Sequence, residues 1–294
     1  MTDRKLYIGP LTDNRRWDKF KPRPDDVYVV TPPKCGTTWM QTMVALLFFG
    51  DPEYETELSM KMPWVDIRIR EMDEVAERLE AMTHRRSVKS HTPMDGLPYR
   101  ADGQFICVFR HPLDAHFSFR KHIRNVPVGG FELFYPADED TDVMFRRFLD
   151  GAPEGFDMDA MPLAHILRHY QAARALADRP NVSLFHYADM SADLPGTMTR
   201  LARLLEIDHP PSVMEELVQA ATFDNMKANA NRFAPSGGKG FFRSDSDFFH
   251  SGSSGKWQGQ LTRAQLAAYD AAMDAALSPQ DRQWLEYGAG GAPA

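Results

Sequence analysis

The sequence predicts an α/β fold, a single domain with a central parallel sheet flanked by helices. Three observations carry that expectation. Short apolar β-rich runs alternate with longer stretches of helical spacing, the first run ends in a Pro/Gly turn that leads straight into a helix, and the last third of the chain reads as helical. Alternation of this kind makes neighbouring strands parallel, because each crossover helix returns the chain to the same end of the sheet.

Val27 to Val30 is the first strand, followed by a turn and a helix through Trp39 to Phe49, with Trp39, Met40, Met43, Val44 and Leu47 on its apolar face. Ile69 to Met82 is expected as helix, Ser87 to Ser90 as extended chain and Phe105 to Phe109 as a buried strand. His111 to Arg124 follows as a helix with proline in its first turn. Met161 to Ala177 has helical spacing, and Val182 to Tyr187 reads as a further strand. Thr262 to Gln265 has capping-box form and opens a helix burying Leu266, Tyr269, Met273 and Leu277. Residues 1–24 form an N-terminal segment, 25–287 the domain and 288–294 a small-residue tail expected to be disordered. The Gly-, Ser- and Phe-rich stretch Asn231 to Trp257 is longer than a plain connection needs and has the character of a lid.

Net charge is -7, from 34 Lys plus Arg against 41 Asp plus Glu, which argues against nucleic acid as a partner and leaves any anionic ligand to a local basic pocket. Two cysteines in dissimilar contexts give no disulfide framework. The first 26 residues hold no signal-peptide core, and the longest apolar run, Met43 to Phe49, is too short to span a bilayer, so a soluble cytoplasmic protein is expected.

Thr31 to Trp39 reads T-P-P-K-C-G-T-T-W between a strand and a helix, where backbone amides and a helix N-terminus can receive a phosphate. The order is wrong for the nucleotide loop G-x-x-x-x-G-K-S/T, because Lys34 precedes Gly36. This segment resembles the 5'-phosphosulfate loop of sulfotransferases that use 3'-phosphoadenosine-5'-phosphosulfate (PAPS). Three more segments resemble that family in order: Lys89 to Pro93, K-S-H-T-P; Arg110 to Ser118, R-H-P-L-D-A-H-F-S; and Phe248 to Trp257, F-F-H-S-G-S-S-G-K-W. Tyr187 to Met190, Y-A-D-M, resembles a fifth element, and together they cover roughly residues 25–286.

The resemblance implies a P-loop-kinase-like domain that moves a sulfuryl group from PAPS to the hydroxyl of a small, apolar acceptor such as a phenol, alcohol or lipid, leaving 3'-phosphoadenosine 5'-phosphate (PAP). His91 would be the general base, Lys34 would stabilise the leaving group and Lys89 would stabilise the transferring sulfate. Lys34, Cys35, Gly36, Thr37 and Thr38 would hold the 5'-phosphate, and Arg110 and Ser118 the 3'-phosphate. Trp39, Tyr187, Thr222 and Phe223 would surround the adenine.

By the resemblance His250, Ser251 and Gly252 belong to the loop that would close over the 3'-phosphate, but they stand where the family has Arg-Lys-Gly, removing two cations; Arg243, Lys239 or Lys256 could replace them, or His250 could bind in its protonated form. Cys35 stands where serine is usual, as a packed small residue or a thiol of lowered pKa. Pro63, Trp64, Phe131, Phe134, Phe241 and Phe242 would line the acceptor pocket, with Tyr135 beside them. No metal is expected: His165 and His169 sit at i, i+4, but H-I-L-R-H lacks the glutamate of H-E-x-x-H. Oligomeric state is not legible, and a homodimer is open. Two further readings stay open, an ATP-dependent kinase and a family member that binds nucleotide without turnover.

Overall fold

The computed structural model describes residues 4–53, 58–125, 140–151, 157–233, 243–244, 248 and 252–291. Four parallel strands, β1 (Val27–Val30), β2 (Ser87–Ser90), β3 (Gln104–Phe109) and β4 (Val182–His186), form one sheet in the order β2-β1-β3-β4. Val30 pairs with Ser90 on one side and Cys107 on the other, and Phe109 pairs with His186, so the carboxyl ends of all four strands reach one edge.

Side chains alternate across the strands and build two cores. Tyr28, Val30, Val88, Phe105, Cys107 and Phe109 face one apolar layer, which includes α3 (Met72–Ala81), α4 (Pro112–Asn125), α5 (Thr141–Asp150), α6 (Asp157–Ala160) and α7 (Leu163–Arg174). Val27, Val29, Ile106, Val108 and Phe185 face the other, built on α1 (Thr37–Phe49), on α2 (Leu58–Lys61) and on the helices Leu194–Leu204 and Pro211–Ala220. Burial on both faces explains why β1 and β3 read as near-continuous apolar runs rather than alternating ones. Arg86 fixes the register of the amino ends: its Nη2 and Nε meet the Asp26 carboxylate at 2.5 and 2.7 Å, with both side chains buried.

Helix boundaries differ from the sequence expectation in two informative places. The helix expected from Ile69 starts at Met72, because residues 67–70 are drawn into contacts with the N-terminal segment: Thr12 bridges Ile67, and the Arg68 amide donates to the Leu11 carbonyl at 2.7 Å. The strand expected to run to Tyr187 stops at His186, whose Nδ1 accepts from the Ala188 amide at 3.2 Å and caps α8 (Tyr187–Ala192). The capping box at Thr262 and Gln265 forms as the sequence expects, and the helix behind it buries Tyr269 and Met273 fully, with Leu266 and Leu277 half-buried. Of residues 288–294, Ala289 and Gly290 are held by their amides, which donate to the Asp189 carboxylate. Among the described residues no helix is long and apolar enough to cross a membrane.

Candidate active site

Open parallel sheets collect ligands beyond the carboxyl ends of their strands. Here β1 delivers Thr31 to Thr38, β2 delivers Lys89 and His91, β3 delivers Arg110 and β4 delivers Tyr187. All four groups line one cavity of about 350 Å³. Lys34, Gly36, Thr37, Thr38, Trp39, Ser118, Phe223 and Gly252 line it as well, as do Pro63 and Trp64. Phe131, Phe134, Tyr135, Phe241, Phe242, His250, Ser251 and Lys239 lie outside the described residues.

The turn after β1 takes its shape from two left-handed residues, Lys34 at φ 65° and Gly36 at φ 109°. A Cβ on Gly36 would lie 3.1 Å from the Tyr187 ring, so glycine serves both the dihedral and the close approach. Gly36 caps α1 without a side-chain bond, which leaves the first amides of that helix, beside the lining residues Thr37 and Thr38, without a capping side chain. Thr37 Oγ1 is hydrogen-bonded to Thr31 Oγ1. Cys35 is fully buried and does not line the cavity; burial pushes its thiol up to about 12, so it packs and is no thiolate. Thr222 does not line it either. Its hydroxyl donates to Gln219 O at 2.8 Å and caps the helix that Phe223 opens.

His91 is oriented from three sides. Its Nδ1–H donates to the Thr31 carbonyl at 2.7 Å, which fixes the tautomer and leaves the Nε2 lone pair available. The buried Asp66 carboxylate accepts from Ser90 Oγ at 2.7 Å, the amides of His91 and Thr92 at 3.2 and 3.0 Å, and Thr92 Oγ1 at 2.5 Å, clamping the turn that carries the imidazole. His169 Nε2–H donates to the His91 carbonyl at 2.7 Å, which gives the His-x-x-x-His spacing a bracing use. Burial, then the nearby Lys89 ammonium, hold His91 well below the ordinary histidine range, so the ring is neutral at pH 7.

The cavity is strongly basic. Lys34 is pushed down to about 7 by loss of water and by Lys89, Arg110 and Lys256. Lys89, under the Trp64 ring with Nζ 3.9 Å from its centroid, is pushed down to about 8 by burial, and Lys256 to about 8 by burial and Arg110. Like charges gathered in this way cost stability unless an anion joins them. Buried Arg110 stacks its guanidinium on Tyr187 at 4.2 Å and donates through Nη2 to Ser253 O at 2.8 Å, while its Nε–H has no acceptor among the described residues. An unspent buried donor in a basic cavity fits an anionic ligand.

The C-terminal loop is tied to the β3–α4 junction by the R-H-P-L-D segment. Asp114 accepts from the amides of Gly255 and Lys256, each at 2.8 Å, His111 packs on Trp257 at 5.1 Å, and Tyr187 Oη–H donates to Gly252 O at 3.0 Å. Lys256 thereby reaches the cavity, whereas Arg243 does not line it. Asp114→Asn keeps the size but leaves one oxygen to accept and turns an NH2 toward the other amide, so the affinity for PAP, measured by calorimetry, is expected to drop about tenfold.

Sequence reasoning passed over several lining residues. His122 stands one helical turn beyond Ser118 on α4, and the i, i+4 spacing was the signal that could have found it. Burial, Lys34 and Lys89 keep its ring neutral. Leu11, Thr12 and Asp159 also line the cavity, with Asp159 accepting from the Leu11 amide at 2.7 Å and Thr12 Oγ1 at 2.8 Å. No local pattern marks contacts spanning so much chain.

The sulfotransferase domain model matches residues 24–281. The chain belongs to the sulfotransferase domain family. A glycolipid sulfotransferase of Mycobacterium bovis is 34% identical to it, covering 98% of this chain and 96% of its own length. An amine sulfotransferase of Oryctolagus cuniculus is 28% identical over 86% of this chain and 81% of its own length. Among solved structures, a mouse sulfotransferase complexed with PAP superposes with a TM-score of 0.71 at 19% identity, covering 92% of this chain and 91% of that one, which places the sulfotransferase fold over this sheet and its helices. All five motif segments that resemble the family in the sequence contribute residues to the cavity lining.

Proposed function

We propose that the protein transfers a sulfuryl group from PAPS to a hydroxyl of a lipid acceptor, with His91 as general base. The observation that carries this reading is the convergence of Lys34, His91 and Arg110 on one basic cavity. PAPS supplies a sulfuryl group already joined to a good leaving group, so the protein's task is positioning and charge stabilisation.

The α1 amides, Thr37 and Thr38 would hold the 5'-phosphate. Lys34 would place its ammonium at the bridging oxygen where negative charge grows, and Lys89 would neutralise the sulfuryl oxygens. Arg110, through its free Nε–H, together with Ser118 and Lys256, would grip the 3'-phosphate, and Trp39, Tyr187 and Phe223 would enclose the adenine. Trp39 is already fixed for that, with Nε1–H donating to Ala221 O at 2.8 Å and its ring edge-on to Tyr187 at 5.3 Å. His91 would take the acceptor's proton on Nε2 as the new oxygen–sulfur bond forms.

The acceptor half of the cavity is bounded by Leu58, Met62, Trp64, Ile67 and Met158, an apolar lining that suits a hydrocarbon chain, with His122 and Asp159 able to bond polar groups of a head. Similarity to a glycolipid sulfotransferase along nearly the whole chain supports the same acceptor class. Two measurements test the reading. PAP is expected to raise Tm well beyond what ATP does at equal concentration, and equal shifts would favour the kinase reading. With labelled PAPS, label is expected in glycolipids ahead of simple phenols and amines; preferential labelling of amines would overturn the acceptor class.

A further inference from the structure

Among the described residues the large hydrophobic side chains most open to solvent are Leu6 at 62%, Ile69 at 55%, Ile8 at 40% and Tyr99 at 36%. Three of the four fall on two segments that the fold stitches together. Ile8 bridges Asp13, Thr12 bridges Ile67, the Arg68 amide donates to Leu11 O at 2.7 Å, and Arg68 Nη1 donates to Gly9 O at 3.2 Å. The same segments form a wall of the acceptor cavity through Leu11, Thr12, Ile67, Ile69 and Arg70. Ile69 both lines the cavity and is exposed, which puts this strip at the mouth.

Scattered exposed apolar residues are normal on a protein surface, but a group at a cavity mouth calls for a partner. Its charge says which kind. Residues 4–12 and 67–70 hold Arg4, Lys5, Arg68 and Arg70 and no Asp or Glu, in a chain whose net charge is -7. Arg4 is paired with Asp18, while Lys5 and Arg68 are exposed beside the apolar strip. Apolar side chains flanked by cations suit the headgroup region of an anionic bilayer, where each part gains what water denies it.

We propose that this rim, made of Leu6, Ile8 and Ile69 with Lys5 and Arg68, docks the enzyme on an anionic phospholipid surface. Docked there, the cavity mouth receives an acceptor tail directly from the bilayer, so the tail never crosses water. The inference rests on the lipid-acceptor reading above. The contact is small and reversible, since a few side chains do not anchor a protein permanently.

The test is co-sedimentation of the full chain with vesicles of equimolar phosphatidylcholine and phosphatidylglycerol, against phosphatidylcholine alone. Binding is expected on the anionic vesicles, weakening as salt screens the cations. The Leu6→Ser/Ile8→Ser variant, which leaves the lining residues intact, is expected to bind about tenfold less. Tyr99→Ser is expected to bind normally, because Tyr99 bonds Asn181 at the amino-terminal end of the sheet, away from the cavity. Absence of binding, equal binding to neutral vesicles, or indifference to Leu6→Ser/Ile8→Ser overturns the proposal. So does a concentration-dependent dimer, without vesicles, that the double variant dissolves. Transfer to a short-chain, water-soluble glycolipid separates the two claims. If wild type and double variant sulfate it equally while neither binds vesicles, only the docking falls; if neither labels it, the acceptor reading falls.

Discussion

His91→Ala is expected to lower turnover about 10⁴-fold while leaving PAP affinity within about threefold, the upper range for loss of a positioned general base. Nδ1 is committed to the Thr31 carbonyl at 2.7 Å, and burial with Lys89 keeps the ring unprotonated at neutral pH, so its Nε2 lone pair is the group ready to receive a proton. His91→Gln retains a donor for Thr31 but offers no comparable base, and should be as inactive as alanine. Calorimetry with PAP and single-turnover transfer from labelled PAPS read the two quantities separately. Loss of PAP binding in both variants would make His91 a structural residue and sink the base assignment.

Much of the fold was legible because β1 and β3, buried on both faces, stand out as short apolar runs between Gly- and Pro-marked turns. Four of the five motif segments were legible for a related reason: each sits at the carboxyl end of a strand, where chemistry-bearing residues follow directly, as Arg110 follows Phe109 and His91 follows Ser90. What escaped depends on contacts far apart in sequence. Asp66 sits in an unremarkable stretch, and only folding brings its carboxylate under residues 90–92. The N-terminal segment read as an appendage, yet Leu11 and Thr12 become cavity wall because Asp159 reaches them across 148 and 147 positions. The helix start at Met72 rather than Ile69 has the same origin, a tertiary pairing that outcompeted local propensity. His122 was within reach of helical periodicity applied one turn past Ser118.

Lys34 carries the second large expectation, and pH exposes it in the unmodified protein. In the free protein its ammonium is held down to about 7, by exclusion from water and by three neighbouring cations. A phosphate or sulfuryl oxygen beside it favours the charged form, so ligand binding raises that pKa and takes up a proton wherever the free amine has lost it. The sign follows: PAP affinity is fully present below about pH 7 and declines as pH rises toward the bound-state value, with Lys89 and Lys256, both near 8, steepening the decline further up. Below about pH 6 the phosphate itself begins to protonate, which confines the informative window to neutral and alkaline solution. Lys34→Met should remove the part of this slope nearest neutrality and cut turnover about 10²- to 10³-fold, the loss typical of deleting one preorganised donor to developing charge. Calorimetric titrations of both proteins across that window, repeated in buffers of different ionisation enthalpy, count the protons taken up. A wild-type affinity that stays level there would mean that Lys34 does not face the phosphosulfate, and the cavity would then need another cation to stabilise the departing oxygen.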